Sequence, residues 1–176
     1  MGDVLNLNLP PVMTCAPGLP CRTKCYAMKA WRQYPSTRAA WKGNLAAGPM
    51  AIGRAVDSAL GGREPGYFRW HSAGDIPGMA YYRMMLDTAK RWPEWGFLAF
   101  TKRWVDMPGM LAVSRPRNLQ IIRSTWPGFA TPRGARRAFV QDGTETRGAS
   151  AFKCPGSCAE CKVCWDGTGD VIFDIH

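Results

Sequence analysis

Seven cysteines occur in this chain, and all of them lie near its two ends. Three fall within Thr14-Cys15-Ala16-Pro17-Gly18-Leu19-Pro20-Cys21-Arg22-Thr23-Lys24-Cys25-Tyr26, spaced C-x5-C-x3-C. Four fall within Cys154-Pro155-Gly156-Ser157-Cys158-Ala159-Glu160-Cys161-Lys162-Val163-Cys164, spaced C-x3-C-x2-C-x2-C. The 128 residues between Cys25 and Cys154 contain none. Pro17, Gly18 and Pro20 oppose regular helix or strand in the first segment. An irregular loop of this kind lets thiolates converge on one point. The middle of the chain is then a scaffold for two metal-binding segments, 14–26 and 154–164.

The start, Met1-Gly2-Asp3-Val4-Leu5-Asn6, has neither the basic stretch nor the long apolar run of a secretory leader. The expected setting is a reducing cytoplasm, where clustered cysteines favour metal over disulfides. An odd cysteine count agrees with this, disulfides or inert thiols being the competing reading. With 176 residues, 46% of them hydrophobic and 20% charged, the expectation is one folded domain over 1–176. No run of eighteen apolar residues exists, so no membrane partner is expected. The net charge of +10 suits nucleic acid or another polyanion, and suits a solubilising surface equally well. Lys and Arg read as scattered, the densest group being Arg133, Arg136 and Arg137.

Between the cysteine groups the pattern alternates between strand and helix. Val4 to Leu9 alternates apolar and Asn residues, as a half-buried strand does. Helix is expected from Cys25 onward, again over Thr37–Ala47, and again over Met50–Leu60 with Pro49 at its first position and Gly61-Gly62 after it. Tyr67 to His71 reads as a strand, Met79 to Arg91 as an amphipathic helix with Tyr82, Met85, Leu86 and Ala89 on one face. Gly96–Thr101 and Leu119–Arg123 are further strands, with a short helix between them at Met107–Ser114. Ala138–Gln141 is a weaker strand, Gly143–Ser150 a polar loop, and Asp170–Ile175 a final strand. This order predicts an α/β fold with a small, mainly parallel sheet and flanking helices, for which a partial barrel is one form.

In parallel sheets, functional groups gather at the C-terminal ends of the strands. Read in order, those ends supply the first cysteine loop, then His71, Ser72 and Asp75, then Thr101 and Lys102, then Ser124 and Trp126. His71, Ser72, Asp75, Lys102 and Ser124 are therefore the candidates for holding cofactor or substrate. Each has an ordinary structural alternative: a hydrogen-bonded core histidine, a helix cap for Asp75, a solvated strand end for Lys102. The eight tryptophans suit a core or the shielding of a cluster, with base stacking as the alternative.

Thiolates suit zinc and iron–sulfur clusters alike. Zinc ribbons use two C-x-x-C pairs, and the first loop has none. The second group resembles ferredoxin spacing, and Cys154, Cys158 and Cys161 contain the C-x3-C-x2-C order of radical S-adenosylmethionine clusters. The two groups hold separate clusters, or share one and leave thiols spare. Three ligands in the first loop leave one iron of a 4Fe–4S cluster open, or lost as a 3Fe–4S form.

With these residues in place, the chain resembles the phage and plasmid gene product 88 family. The resemblance is carried by Thr14-Cys15-Ala16-Pro17-Gly18, Cys21 and Cys25-Tyr26-Ala27, then by Arg69, His71 and Gly74-Asp75. Tyr81, Thr101-Lys102, Asn118-Leu119, Ser124 and the closing Cys154-Pro155, Cys161 and Cys164 complete it. More distantly, the Cys-Tyr-Ala loop and the Thr101-Lys102-Arg103 step resemble phage proteins of the radical S-adenosylmethionine type. The first loop departs from radical spacing, and Ser72-Ala73-Gly74-Asp75 stands where those enzymes have Gly-Gly-Glu. The resemblance implies a phage or mobile-element protein that binds iron–sulfur inside a bacterial cell. Its expected role is electron transfer with a redox partner, redox sensing or structural cluster binding. A radical enzyme using S-adenosylmethionine on a small-molecule substrate is the second reading. A zinc-stapled nucleic-acid-binding module is the third.

Overall fold

Parallel strands cannot be joined by tight hairpins, so each crossover has to carry a helix or a long loop. The computed structural model describes residues 4–126, 134–141 and 151–174, and within them seven strands pair in this way. They are β1 (Leu5–Leu7), β2 (Tyr67–Trp70), β3 (Gly96–Thr101), β4 (Leu119–Ser124), β5 (Arg137–Gln141), β6 (Phe152–Lys153) and β7 (Val171–Asp174). The helices are α1 (Tyr26–Gln33), α2 (Pro35–Leu60), α3 (Met79–Arg91), α4 (Pro108–Leu111) and α5 (Val163–Asp166). The strand order is β1-β2-β3-β4-β5-β7-β6, and every neighbouring pair is parallel. This is the expected α/β fold. β1 and β6 are the two edges, so the described strands form an open sheet and not a closed barrel.

Because β1 to β5 lie side by side in chain order, right-handed crossovers always step in one direction and put their helices on one face. The packing follows that rule. Phe68 and Trp70 of β2, Phe97 and Ala99 of β3, and Leu119 and Ile121 of β4 meet Val56 and Leu60 of α2 and Tyr82, Met85 and Ala89 of α3. The intervening residues face the other way. Leu98, Ile122, Ala138 and Val171 form a second buried layer with Cys164 and Trp165 of α5. The C-terminal cysteine segment is thus the cover of the sheet's second face.

α3 and β3 have the expected bounds, and so does the division of α2. Gly48 has φ 72° and ψ 170°, which breaks the helix, and Pro49 begins its second half. Glycine adopts such a φ without the Cβ clash other residues meet. Elsewhere the structure adds to the expectation. A 3₁₀ turn (Pro20–Arg22) lies in the first cysteine loop, while β6 and α5 flank the C-terminal segment at its start and end. Elements of two to four residues show no period, and their neighbours impose them. β6 is held by Phe152 N–H to Asp170 O and Cys154 N–H to Ile172 O, each 2.8 Å. The short helix expected over 107–114 is confined to Pro108–Leu111. The loop expected over 143–150 lies outside the described residues. Among the described residues no helix is long and apolar enough to cross a membrane.

Candidate metal centre

The first cysteine loop leaves β1 and is tied to the ends of β2 and β3 by buried hydrogen bonds. Asp75 is at the centre of the knot. Its carboxylate accepts from the Thr101 hydroxyl at 2.6 Å, from the Lys102 N–H at 2.8 Å and from the Ile76 N–H at 2.8 Å. Its own N–H donates to Thr14 Oγ1 at 2.9 Å, and that hydroxyl donates to Pro10 O at 3.0 Å. Arg103 donates from Nη1 to Thr14 O at 3.2 Å and pairs with Asp106 at 3.2 Å. Burial pushes the Asp75 carboxyl up, and the bonds from Thr101, Lys102 and Ile76 pull it back. Asp75 is a positioning residue: it caps no helix, since Gly78 precedes α3, and it fixes where the cysteine loop begins.

Backbone conformation around the knot is unusual. Gly74 has φ 80°, and a Cβ there would lie 2.7 Å from both Leu9 O and Thr14 Oγ1. Val12 and His71 also hold positive φ, 70° and 56°. Such conformations cost of order 1–3 kcal/mol in a residue other than glycine, and they concentrate at functional sites.

Cys15, Cys21 and Cys25 are each partly buried and lie within one another's electrostatic reach. Burial, then the Asp75 carboxylate, then the Cys25 and Cys21 thiolates push Cys15 up to about 11, against a backbone hydrogen bond at Val12. Burial also raises Cys21, and the Lys102 ammonium is the main influence opposing it. Lys102 is thus within electrostatic reach of Cys21. The Tyr26 hydroxyl donates to the Ser72 carbonyl and pins the start of α1 to the end of β2.

His71 is buried, with Nε2 at 3.0 Å from the Tyr81 hydroxyl of α3. Burial, and secondarily the Arg69 charge, push it down to about 3, so its imidazole is neutral. Its Nδ1 has no hydrogen-bond partner among the described residues. Ser124 is partly buried, and its carbonyl accepts from Trp104 Nε1 at 2.9 Å. Of the strand-end residues named by the sequence, Asp75 joins Thr101 and Lys102 and Lys102 reaches Cys21, whereas His71 contacts Tyr81 of α3 and Ser124 contacts Trp104.

The second group lies on the other face of the sheet. Cys154 Sγ accepts from the Gly156 N–H at 3.4 Å, where φ is 85°. Burial first, then the neighbouring Cys158 and Cys161, raise Cys154. Cys164 is pushed up to about 12, by burial and by Cys154 and Cys158, with Arg136 opposing. Arg136 holds α5 in place, donating to Cys164 O, Val163 O and Gly169 O at 2.7 Å each.

Two arginines outside the sequence candidates matter here. Arg69 alternates with Phe68 and Trp70, and so points to the second face. Its Nη1 lies 3.9 Å from Cys158 Sγ, its guanidinium is over the Phe100 ring at 5.1 Å, and its charge reaches Cys154, Cys164 and Tyr26. A cation at an inward strand position was the available signal. Arg136 had none beyond its sequence neighbours. As they lie, no three His, Cys, Asp or Glu side chains among the described residues stand close enough to hold a metal ion.

A family model described as gene product 88 matches residues 3–127. The matched stretch contains Cys15, Cys21 and Cys25 together with His71, Asp75, Lys102 and Ser124, and it ends before the second cysteine group. No curated protein and no solved structure matches the chain.

Proposed function

The chain belongs to the gene product 88 family, and within that family we propose that it is an iron–sulfur protein of a phage or mobile element, acting inside the bacterial host. One observation carries the reading. Three thiols sit on a loop anchored at the C-terminal ends of β1–β3, within one another's electrostatic reach and beside the Lys102 charge. Thiolates are the ligands of such clusters, and Lys102 offsets part of their charge. Cys15, Cys21 and Cys25 would hold the first cluster. Cys154, Cys158, Cys161 and Cys164 would hold a second, since the cysteine neighbours that raise Cys15 and Cys21 lie in the first group and those that raise Cys154 and Cys164 lie in the second. The Gly156 N–H donated to Cys154 Sγ is the kind of contact that tunes a bound cluster.

A bound cluster supplies one-electron chemistry at a potential set by charge, hydrogen bonding and solvent exposure. The chain supplies the settings. Asp75, Thr14 and Arg103 hold the loop's entry, Lys102 and Arg69 bring positive charge to the two thiol groups, and Trp165 and Phe100 keep water from the second. That set suits electron transfer, redox sensing or a structural role.

A second reading has its own observation. The first loop offers three thiols and leads from the first strand of a sheet wound in chain order. Three ligands leave a fourth iron open to S-adenosylmethionine, and His71 Nδ1 is a buried polar atom without a partner. In that case Ser72, Lys102 and Ser124 would hold cofactor or substrate.

The test is anaerobic purification, iron and sulfide per chain, and EPR of the reduced protein with and without S-adenosylmethionine. Iron and sulfide with an unchanged signal are the expected result. A signal that shifts with the cofactor would move the radical enzyme to first place. Zinc without iron, after attempted reconstitution, would overturn both readings and leave a zinc-stapled module.

A further inference from the structure

The acidic residues are unevenly placed. Residues 4–56 carry seven Lys and Arg and no Asp or Glu, whereas the 120 residues from Asp57 onward carry sixteen cations and twelve acids. Lys and Arg are scattered at equal density through both parts, and the net positive charge of the first comes from its lack of acids. The acid-free stretch forms the first cysteine loop, α1 and most of α2. No residue from 28 to 51 is buried, so this helical arm stands off the core that organises the rest of the chain. Its base is tied down by Asn44 Nδ2 donating to Asn8 O at 2.9 Å and by Leu45 packing at the edge of the core. Its own helices meet through the Trp31 and Trp41 rings, 6.1 Å apart, with Lys42 over Trp31.

Between the loop and α1 lies an open groove of about 590 Å3, lined by Arg22, Lys24, Lys29 and Arg32 along with Cys25 and Tyr26. Among the described residues none of those four cations is in an ion pair. Tyr26 and Tyr34 are exposed aromatic residues on either end of α1, 55% and 50% accessible. Unpaired cations track a phosphate backbone, and exposed rings offer stacking surfaces to unpaired bases. An acidic protein would use the cations and leave the rings without a purpose.

We propose that the arm formed by the first cysteine loop, α1 and the first half of α2 binds single-stranded nucleic acid, with phosphates in the Arg22–Lys24–Lys29–Arg32 groove and bases on Tyr26 and Tyr34. None of the four cations is among the proposed metal ligands, although Cys25, which is, lines the groove beside them.

The test is fluorescence anisotropy of a labelled 30-nucleotide single strand with the full-length protein at several salt concentrations, iron content being assayed in each sample. The Lys24→Glu/Lys29→Glu/Arg32→Glu variant is compared with Arg63→Glu/Arg83→Glu/Arg117→Glu, which changes net charge equally elsewhere. The arm variant is expected to weaken binding at least about tenfold and to lower the salt slope by about 2, as loss of three phosphate contacts implies. The control variant should stay near wild type, and Tyr34→Ser should weaken single strands more than duplex. Equal loss in the two charge variants, equal binding of polyglutamate, or duplex binding that matches single strand and ignores Tyr34→Ser would each overturn the proposal. Circular dichroism of every variant separates lost binding from lost folding. Binding that persists in iron-free protein would leave the arm's function standing whatever the fate of the cluster reading.

Discussion

At the scale of single residues, the candidate site depends on groups that never touch a ligand. Asp75 uses both carboxylate oxygens as acceptors. Asp75→Asn places an amide N–H₂ against an N–H or O–H donor in a buried site, and such opposed donors cost about 1–3 kcal/mol. Urea unfolding should show that loss, and iron held by the first loop should fall while the C-terminal group keeps its share. Gly74→Ala should be at least as damaging, because strained φ and a backbone clash act together. His71 makes a pH prediction. Its folded pKa of about 3 lies below its ordinary 6.5, so between those values the unfolded chain binds the extra proton. Stability from this group is present above pH 6.5 and is lost as pH falls towards 3, by about 1.4 kcal/mol per unit at most. The difference between wild type and His71→Gln, measured by denaturant unfolding from pH 7 to pH 4, should shrink by that slope. A difference constant with pH would mean that His71 is not neutral and buried.

At the scale of elements, each cysteine segment is held by a different device. The first depends on strand ends and side-chain hydrogen bonds. The second rests on apolar burial, with Trp165 packed on the sheet and donating to Phe68 O at 3.3 Å. Trp165→Ala should cost about 3–5 kcal/mol, the range for emptying a buried aromatic site, and should free α5 and its cysteines to digestion. Arg136→Ala should loosen the same helix with a smaller loss, because it removes carbonyl partners and leaves the apolar layer intact. Limited proteolysis, read by mass spectrometry for cuts within 152–166, checks both. The larger elements were legible because their periods are long. α3 runs over thirteen residues with one apolar face, and Pro49 marked the start of a helix where the backbone breaks. β6 and α5 were not, because two to four residues carry no period and owe their form to Asp170, Ile172 and Arg136.

At the scale of the whole molecule, the sheet has a helical face and a face covered by the second cysteine group, with Arg69 reaching towards both loops. The proposed reading of two separate clusters predicts additive losses. Cys21→Ser should remove only the first group's iron, Cys161→Ser only the second's, and the double variant the sum of the two. Iron lost completely on either single change would mean one shared cluster. Local chemistry alone determined much of this protein: the confinement of thiols to two irregular segments, the alternation that makes a parallel sheet, and the gathering of His71, Asp75, Lys102 and Ser124 at strand ends. Those follow from periodicity and residue type, which act over a few neighbours along the chain. Only the tertiary structure could show that Asp75 anchors the loop through Thr14 and Thr101, that the C-terminal cysteines roof the sheet, and that residues 28–51 stand off the core. These join residues up to 97 positions apart, and contacts at that separation are set by how the faces pack.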